Sequence, residues 1–285
     1  MNKVIKLLQP NSFRTFKGWV SHGNINPVFV ASMQINNGKK QVLQDVYCKI
    51  YPFTTDDRSL FNEIVGYLVA NALGVPQPTH AYITLMDINH ILNNNVDNQL
   101  PNELVLLLKK EQYYPVFCTA KIDKSQTAFD FHGWTPSLIN EMSKWKYLPD
   151  TLAMDNTIAH TDRHLNNILR TGRQTYHVID NGRLATEDGT PWQPTNLDSS
   201  KVYSNKLWTF SESSMQKSWK TISSNILHVC ANHANAVNSC LEEINFWIKS
   251  LYQGQEMDYN NFTDFLCKRT GDSEHYHAQR LHLLT

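Results

Sequence analysis

The side chains able to do chemistry concentrate in one stretch. Ile158, Ala159, His160, Thr161, Asp162, Arg163 and His164 lead through Leu165 and Asn166 to Asn167, and Asp180-Asn181-Gly182 follows a short way on. Between them lie two apolar runs, Ile168–Leu169 and Tyr176–Ile179, joined by a segment that contains Gly172. That spacing predicts a β-hairpin with Gly172 supplying the turn. An antiparallel hairpin brings the residues before its first strand beside those after its second, so Asp162 and Asn167 are expected next to Asp180. Two carboxylates and a carboxamide form a hard oxygen site, the kind that holds Mg²⁺ together with phosphate oxygens. The chemistry this suits is phosphoryl transfer, in which one Asp positions an attacking hydroxyl while an Asn and a second Asp hold metal on the nucleotide phosphates.

Other residues of the stretch are weighed beside these. His160 and His164 stand at i, i+4, a spacing that can hold zinc on a helix. No third ligand or Glu general base accompanies them, so zinc is not expected. His164 is placed with Asp162 in the catalytic loop, bracing it through hydrogen bonds, and Arg163 is given a similar part. Asp155 precedes the loop on a predicted helix; its position suits either an orienting carboxylate or a solvent-facing acid.

In this order the motifs resemble the kinase-like superfamily in its reversed form. Asp162-Arg163-His164-Leu165-Asn166-Asn167 is similar to the Asp-Arg-His-x-x-Asn loop of phosphoinositide kinases, their protein-kinase relatives and the HipA-like kinases, and Ile179-Asp180-Asn181-Gly182 stands where that superfamily has its metal-binding Asp. The N-terminal half resembles the HipA-like kinases more than the lipid kinases. Gly23-Asn24-Ile25-Asn26-Pro27 looks like the short nucleotide loop. Val46-Tyr47-Cys48-Lys49-Ile50 looks like the strand carrying the ATP-binding Lys. Phe61-Asn62-Glu63, an apolar helix and Leu73-Gly74-Val75-Pro76-Gln77-Pro78 look like that group's signature. The resemblance covers residues 18–182. It implies ATP and Mg²⁺ as cofactors, Asp162 as the catalytic Asp, Asn167 and Asp180 as metal ligands, Lys49 as both a catalytic and a nucleotide-binding residue, and Glu63 and Gly23 as nucleotide-site residues, with Glu63 pairing Lys49. Glu63 also lies in the first turn of its helix, where an acid suits the dipole. Two departures stand out: the nucleotide loop has only Gly23, and Asp180 is followed by Asn181-Gly182 in place of Phe-Gly.

The elements that must position these residues are legible in part. Short β-prone runs at Trp19–Val20, Val28–Ser32 and Val42–Tyr51 are separated by the turn-forming segments Ser21–Pro27 and Asn36–Lys40. Phe61, Ile64, Val65, Leu68, Val69, Ala72 and Leu73 fall on one helical face, ended by Gly74 and Pro76. A strand is expected near Ala81–Met86, an Asn-rich surface loop over His90–Asn102, and an extended connector between two lobes near Tyr113–Thr119, broken by Pro115. From Leu152 onward the pattern is helical, with helices expected within Ser213–Ser250 and over Asn261–Arg269; Trp208, Trp219 and Trp247 are expected to pack this helical lobe. His275, His277 and His282 read as a solvated His-rich tail. The order favours an α+β, two-lobed protein-kinase-like fold, with a β-rich N-lobe over residues 1–115 and a helical C-lobe over 116–285.

Composition narrows the function classes. The 285 residues carry 26 Lys+Arg and 26 Asp+Glu, and 41% are hydrophobic. A neutral chain lacks the basic field of a general nucleic-acid binder. No 18-residue apolar run or Lys/Arg-rich amphipathic stretch suggests a membrane. The five cysteines are scattered, with no C-x-x-C, and the N-terminal apolar run is too short for a secretory leader; a cytoplasmic location with reduced thiols is expected. The leading expectation is an ATP- and Mg²⁺-dependent kinase acting on Ser/Thr of a protein, with a regulatory partner also in view. The alternatives are a nucleotide- or partner-binding pseudokinase, which the intact Asp162, Asn167 and Asp180 argue against, and the same fold acting on a small molecule or lipid or transferring a nucleotidyl group.

Overall fold

The computed structural model describes residues 3–20, 26–36, 40–52, 57–95, 100–133 and 135–283. The chain is α+β, a mixed six-stranded N-terminal sheet followed by a largely helical region. It divides into two compact units, Met1–Leu60 with Pro78–Ile122, and Phe61–Gln77 with Asp123–Thr285.

The first unit is built on β1 (Ile5–Leu7), β2 (Phe13–Trp19), β3 (Val28–Asn36), β4 (Gln41–Ile50), β5 (Ala81–Asp87) and β6 (Tyr113–Ala120), in the spatial order β1-β5-β6-β4-β3-β2. Along β3 the buried residues Phe29, Ala31, Met33 and Ile35 recur with period two, as a strand with one face in a core requires. Val46, Cys48 and Ile50 of β4 and Tyr82, Val116 and Cys118 join that core, and Ile88, Ile91 and Leu108 from the short helices α2 (Ile88–Leu92) and α3 (Asn102–Leu108) close it. The Asn-rich segment is therefore partly helical. Strand β1, parallel to β5, escapes sequence reading because three residues show no period.

The expected connector at Tyr113–Thr119 is instead β6, an inner strand paired to β5 on one side and β4 on the other. Pro115 is tolerated there for a geometric reason. Its carbonyl accepts from Tyr51 N at 3.2 Å, so its missing N–H would also have faced β4, just past the last β4–β6 pair at Ile50 and Val116. A division between residues 115 and 116 would cut this strand.

The second unit takes nearly all of helix α1 (Ser59–Leu73). Residues 61–70 of this helix are buried all round. Gly74 ends it at φ +69°, and Val75 N returns to Ala70 O at 2.9 Å. The unit continues with β7 (Gln126–Thr127), α4 (Ala128–His132), α5 (Pro136–Met142), α6 (Leu148–Thr157), the hairpin β8 (Ile168–Gly172) and β9 (Thr175–Val178), and helices α7 (Lys206–Ser214), α8 (Gln216–Cys230), α9 (His233–Leu251), α10 (Glu256–Gly271) and α11 (Ser273–Arg280). The predicted His-rich tail is part of this core: His277 of α11 is fully buried, its Nε2 3.1 Å from Ala153 O of α6, while His275 and His282 stay exposed. A histidine with an apolar body and a carbonyl partner is stable in such a site. The five cysteines are free thiols. Among the described residues, no helix is long and apolar enough to cross a membrane.

Candidate active site

The site grows out of the end of α6. Ala159, at φ +55°, turns the chain off that helix, and residues 160–164 form neither helix nor strand beyond the single bridge of His160 to Leu184. A single 3-10 turn, Leu165–Asn167, leads into β8; His164 caps it, its Nδ1 accepting from Asn166 N at 3.2 Å. The hairpin then returns the chain so that Ile179 N donates to Asn167 O at 3.0 Å. Asp162, Asn167 and Asp180 are thus gathered at one end of the hairpin, where their spacing put them, and His164 stands beside Asp162. The turn differs from expectation. Gly172 pairs with Thr175 at the strand ends, and the left-handed residue is Gln174, at φ +57°. Glu141 of α5 compensates by accepting from Gln174 N, Arg170 Nε and Tyr176 Oη. Burial would raise the Glu141 carboxyl, but Arg170 and these other donors lower it to about 2.

Two buried side chains weld the Asp162 loop to the Asp180 segment. His160 is fully buried; burial first, then the Arg163 charge, depresses it to about 4, so the ring is neutral. Its Nδ1 accepts from Asp162 N at 3.2 Å, which leaves the proton on Nε2, 3.0 Å from Asp180 O. Arg163 is the other brace. Its guanidinium pairs with Asp155, both side chains wholly buried, and donates to Ile179 O and to Asn181 Oδ1 at 2.7 Å. Asp155 is therefore an orienting carboxylate. Since segment 160–164 is not helical and the two histidine rings take different partners, the i, i+4 zinc geometry is not formed.

Helix α1 grips the residues after Asp180. Glu63 Oε2 accepts from Asn181 N at 2.8 Å, Asn62 Nδ2 donates to Gly182 O at 2.9 Å, and Trp192 Nε1 holds Asn62 Oδ1 at 2.9 Å. A Cβ on Gly66 would lie 2.3 Å from Asn181 Cβ, so only glycine lets the helix come this close. Phe61-Asn62-Glu63 thus has a local role in holding the Asp180 segment. Asp180 itself sits at φ +59°, and Ala185, at φ +45°, donates its N–H to Ala159 O at 2.7 Å. Ala159, Asp180 and Ala185, non-glycine residues in the left-handed region at the two ends of the loop and hairpin, mark backbone strain of the sort held at functional sites.

The open groups are oxygen-rich. The Asp162 side chain is 34% exposed and meets Lys206 Nζ through Oδ1. His164 Nε2 lies 3.8 Å from Asp162 Oδ2; burial lowers the pKa of this ring while the Asp162 charge opposes the shift. Asn167 Nδ2 donates to Asp162 O at 2.8 Å, so its Oδ1 is the atom directed away from that bond. Asn167 Oδ1 with the Asp180 carboxylate is a donor set that fits Mg²⁺, which takes one or two protein oxygens and completes its shell with phosphate and water. Among the described residues, no three His, Cys, Asp or Glu side chains cluster as a self-sufficient metal site.

Lys49 belongs to the first unit. It is half-buried on the inner strand β4, between Val28 and Phe117, with its ammonium 6.0 Å from the Tyr51 ring centroid. Gly23 lies outside the described residues. Sequence reasoning missed the bridging role of His160, the close approach at Gly66, and Asn205 and Lys206. The one local signal at Asn205 is an Asn before a helix, which marks a cap. No family model matches the chain, and no curated protein matches it either.

Proposed function

We propose that this protein is an ATP- and Mg²⁺-dependent phosphotransferase of kinase-like fold, acting on a hydroxyl of a protein. The observation that carries the reading is the gathering of Asp162, Asn167 and Asp180 at one hairpin end, fixed by buried His160 and Arg163. Phosphoryl transfer depends mostly on positioning and charge, and a site held this rigidly supplies both. Asp162, half open to solvent, orients the acceptor hydroxyl and takes its proton. Asn167 Oδ1 and the Asp180 carboxylate would hold Mg²⁺; the resemblance to HipA-like kinases assigns Lys49 and Gly23 to the nucleotide phosphates. The bound metal supplies charge neutralisation at the phosphates. The likeness of the Phe61-Asn62-Glu63 and Leu73-Gly74-Val75-Pro76 segments to HipA-like kinases supports a protein acceptor, and so does the neutral chain, which gives lipid or nucleic acid no electrostatic handle.

The test is incubation with γ-labelled ATP, Mg²⁺ and a cell lysate, followed by intact-mass and phosphopeptide analysis, with Asp162→Asn as control. The expected result is phosphate on Ser or Thr with wild type, and none with the variant, which still binds nucleotide. Phosphate found only on a lipid or metabolite, or AMP found on protein, would refute the protein-kinase reading.

A further inference from the structure

Helix α7 begins beside the catalytic loop, and its anchoring singles out its first residue. Asn205, the N-cap, is 2% exposed. Its Oδ1 accepts from Trp208 N at 2.7 Å, an ordinary cap bond. Its Nδ2 donates outward, to His160 O at 2.7 Å and to Asp155 Oδ2 at 3.3 Å. The start of α7 is therefore set by the same buried groups that hold the Asp162 loop. Lys206 comes next, and its ammonium reaches Asp162 Oδ1. Stability does not account for a lysine here. A cation in the first turn opposes the helix dipole. The Lys206–Asp162 pair is solvated, with side chains 60% and 34% exposed, and such pairs return little stability. The two effects cancel, and what remains is a cation held within reach of the catalytic carboxylate by a weak, exchangeable contact.

We infer that Lys206 is a catalytic lysine directed at the transferring phosphoryl group. The inference rests on the phosphotransfer reading above. In the step, the acceptor hydroxyl oxygen bonds to the γ-phosphorus of the nucleoside triphosphate and the bond to the β,γ-bridging oxygen breaks. The hydroxyl proton passes to Asp162, and the nucleoside diphosphate leaves. Negative charge spreads over the equatorial oxygens of the transferring group. The Lys206 ammonium moves from Asp162 onto those oxygens, which offsets their charge and leaves the carboxylate open to the proton. An interaction made only at that point raises turnover without tightening diphosphate binding.

The test compares the wild-type chain with Lys206→Met and Lys206→Arg. Calorimetry in Mg²⁺ measures binding of ADP alone and of ADP with aluminium fluoride, which mimics the planar phosphoryl group; urea unfolding monitors the fold. Transfer from γ-labelled ATP is followed to the chain itself and to dephosphorylated casein. Lys206→Met is expected to bind ADP like wild type but to lose about 100-fold in affinity for the aluminium fluoride complex, with a matching loss of turnover. Lys206→Arg recovers part of both, and the urea midpoints coincide. Undiminished aluminium fluoride binding by Lys206→Met overturns the assignment, as does an equal loss of ADP binding, which would mark a structural role. If wild type binds ADP and transfers phosphate while Lys206→Met does so equally, only Lys206 loses its part; if wild type does not bind ADP, the phosphotransfer reading falls and this one with it.

Discussion

The residues that matter most here are the buried polar ones that make the exposed ones usable. Arg163 and Asp155 form an ion pair with no solvent access, and the guanidinium also serves the backbone of Ile179 and the amide of Asn181. Removing one partner of such a pair strands the other charge. Arg163→Met is therefore expected to cost about 3–5 kcal/mol in urea unfolding, well beyond its lost contacts. A change under about 1 kcal/mol would mean that the network is dispensable, as for an exposed pair. Asp180 gives a complementary expectation. If the proposed metal site holds, Asp180→Asn removes one of its few anionic ligands, and stabilisation of the fold by ATP should depend on Mg²⁺ in wild type and much less in the variant. Identical nucleotide-induced melting shifts in both proteins, with and without Mg²⁺, would sink the metal assignment.

At the scale of elements, helix α1 and the β8–β9 hairpin act as clamps on the two ends of the site. Gly66 lies in the middle of a helix, where glycine costs about 1 kcal/mol against alanine, so propensity alone would favour Gly66→Ala. The added Cβ would stand 2.3 Å from Asn181 Cβ, however, and overpacking of that kind costs roughly 1–3 kcal/mol and displaces a backbone. The clash should win: lower stability by denaturant titration together with weaker Mg²⁺-dependent nucleotide binding, because Asn181 adjoins Asp180. The hairpin predicts the opposite sign. Gln174 occupies the left-handed region, which costs an L-residue about 1–2 kcal/mol, and its contact to Glu141 runs through the backbone N–H. Gln174→Gly keeps that bond and relieves the strain, so the melting temperature should rise; a fall would show that the Gln side chain carries an unrecognised contact.

For the whole molecule, the C-terminal helices act as the scaffold of α6, and through it of the Asp162 loop. Arg269 Nε donates to Thr157 O at 2.9 Å, Arg280 Nη1 to Asn156 Oδ1 at 2.6 Å, and His233 Nδ1 lies 2.6 Å from Thr157 Oγ1. Cations near the last carbonyls of α6 also suit its dipole. This architecture makes stability sensitive to acid. Burial lowers His160 to about 4 and His233 to about 3, against an ordinary value of 6.5. Between those limits the unfolded chain binds more protons than the folded one, so stability rises with pH. Their contribution is complete above about pH 6.5 and is lost as pH falls toward 4; at pH 5 each ring accounts for about 2 kcal/mol of loss. The urea midpoint should be level from pH 8 to 7 and decline clearly by pH 5. A midpoint unchanged across that range would contradict the buried, neutral state of these rings.

What could be read from the sequence was what depends on short range. The period-3.6 face of α1, its stop at Gly74, and the two apolar runs that pair as β8 and β9 are set by residues within a few positions of one another. The hairpin rule then placed Asp162 and Asn167 beside Asp180. The same reading missed β1 and misassigned β6, because three residues carry no period and because a proline looks disruptive until one knows that its missing N–H faces past the end of β4. It put the turn on Gly172, where the tertiary contact of Glu141 supports Gln174 in the left-handed position. It left His277 in solvent and Asp155 undecided, since burial depends on which helices pack around α6. The grip of Glu63 on Asn181 spans 118 residues and the reach of Lys206 to Asp162 spans 44. No spacing rule covers such distances along the chain; only the packing of buried polar groups, each needing a partner once water is excluded, decides which of them meet.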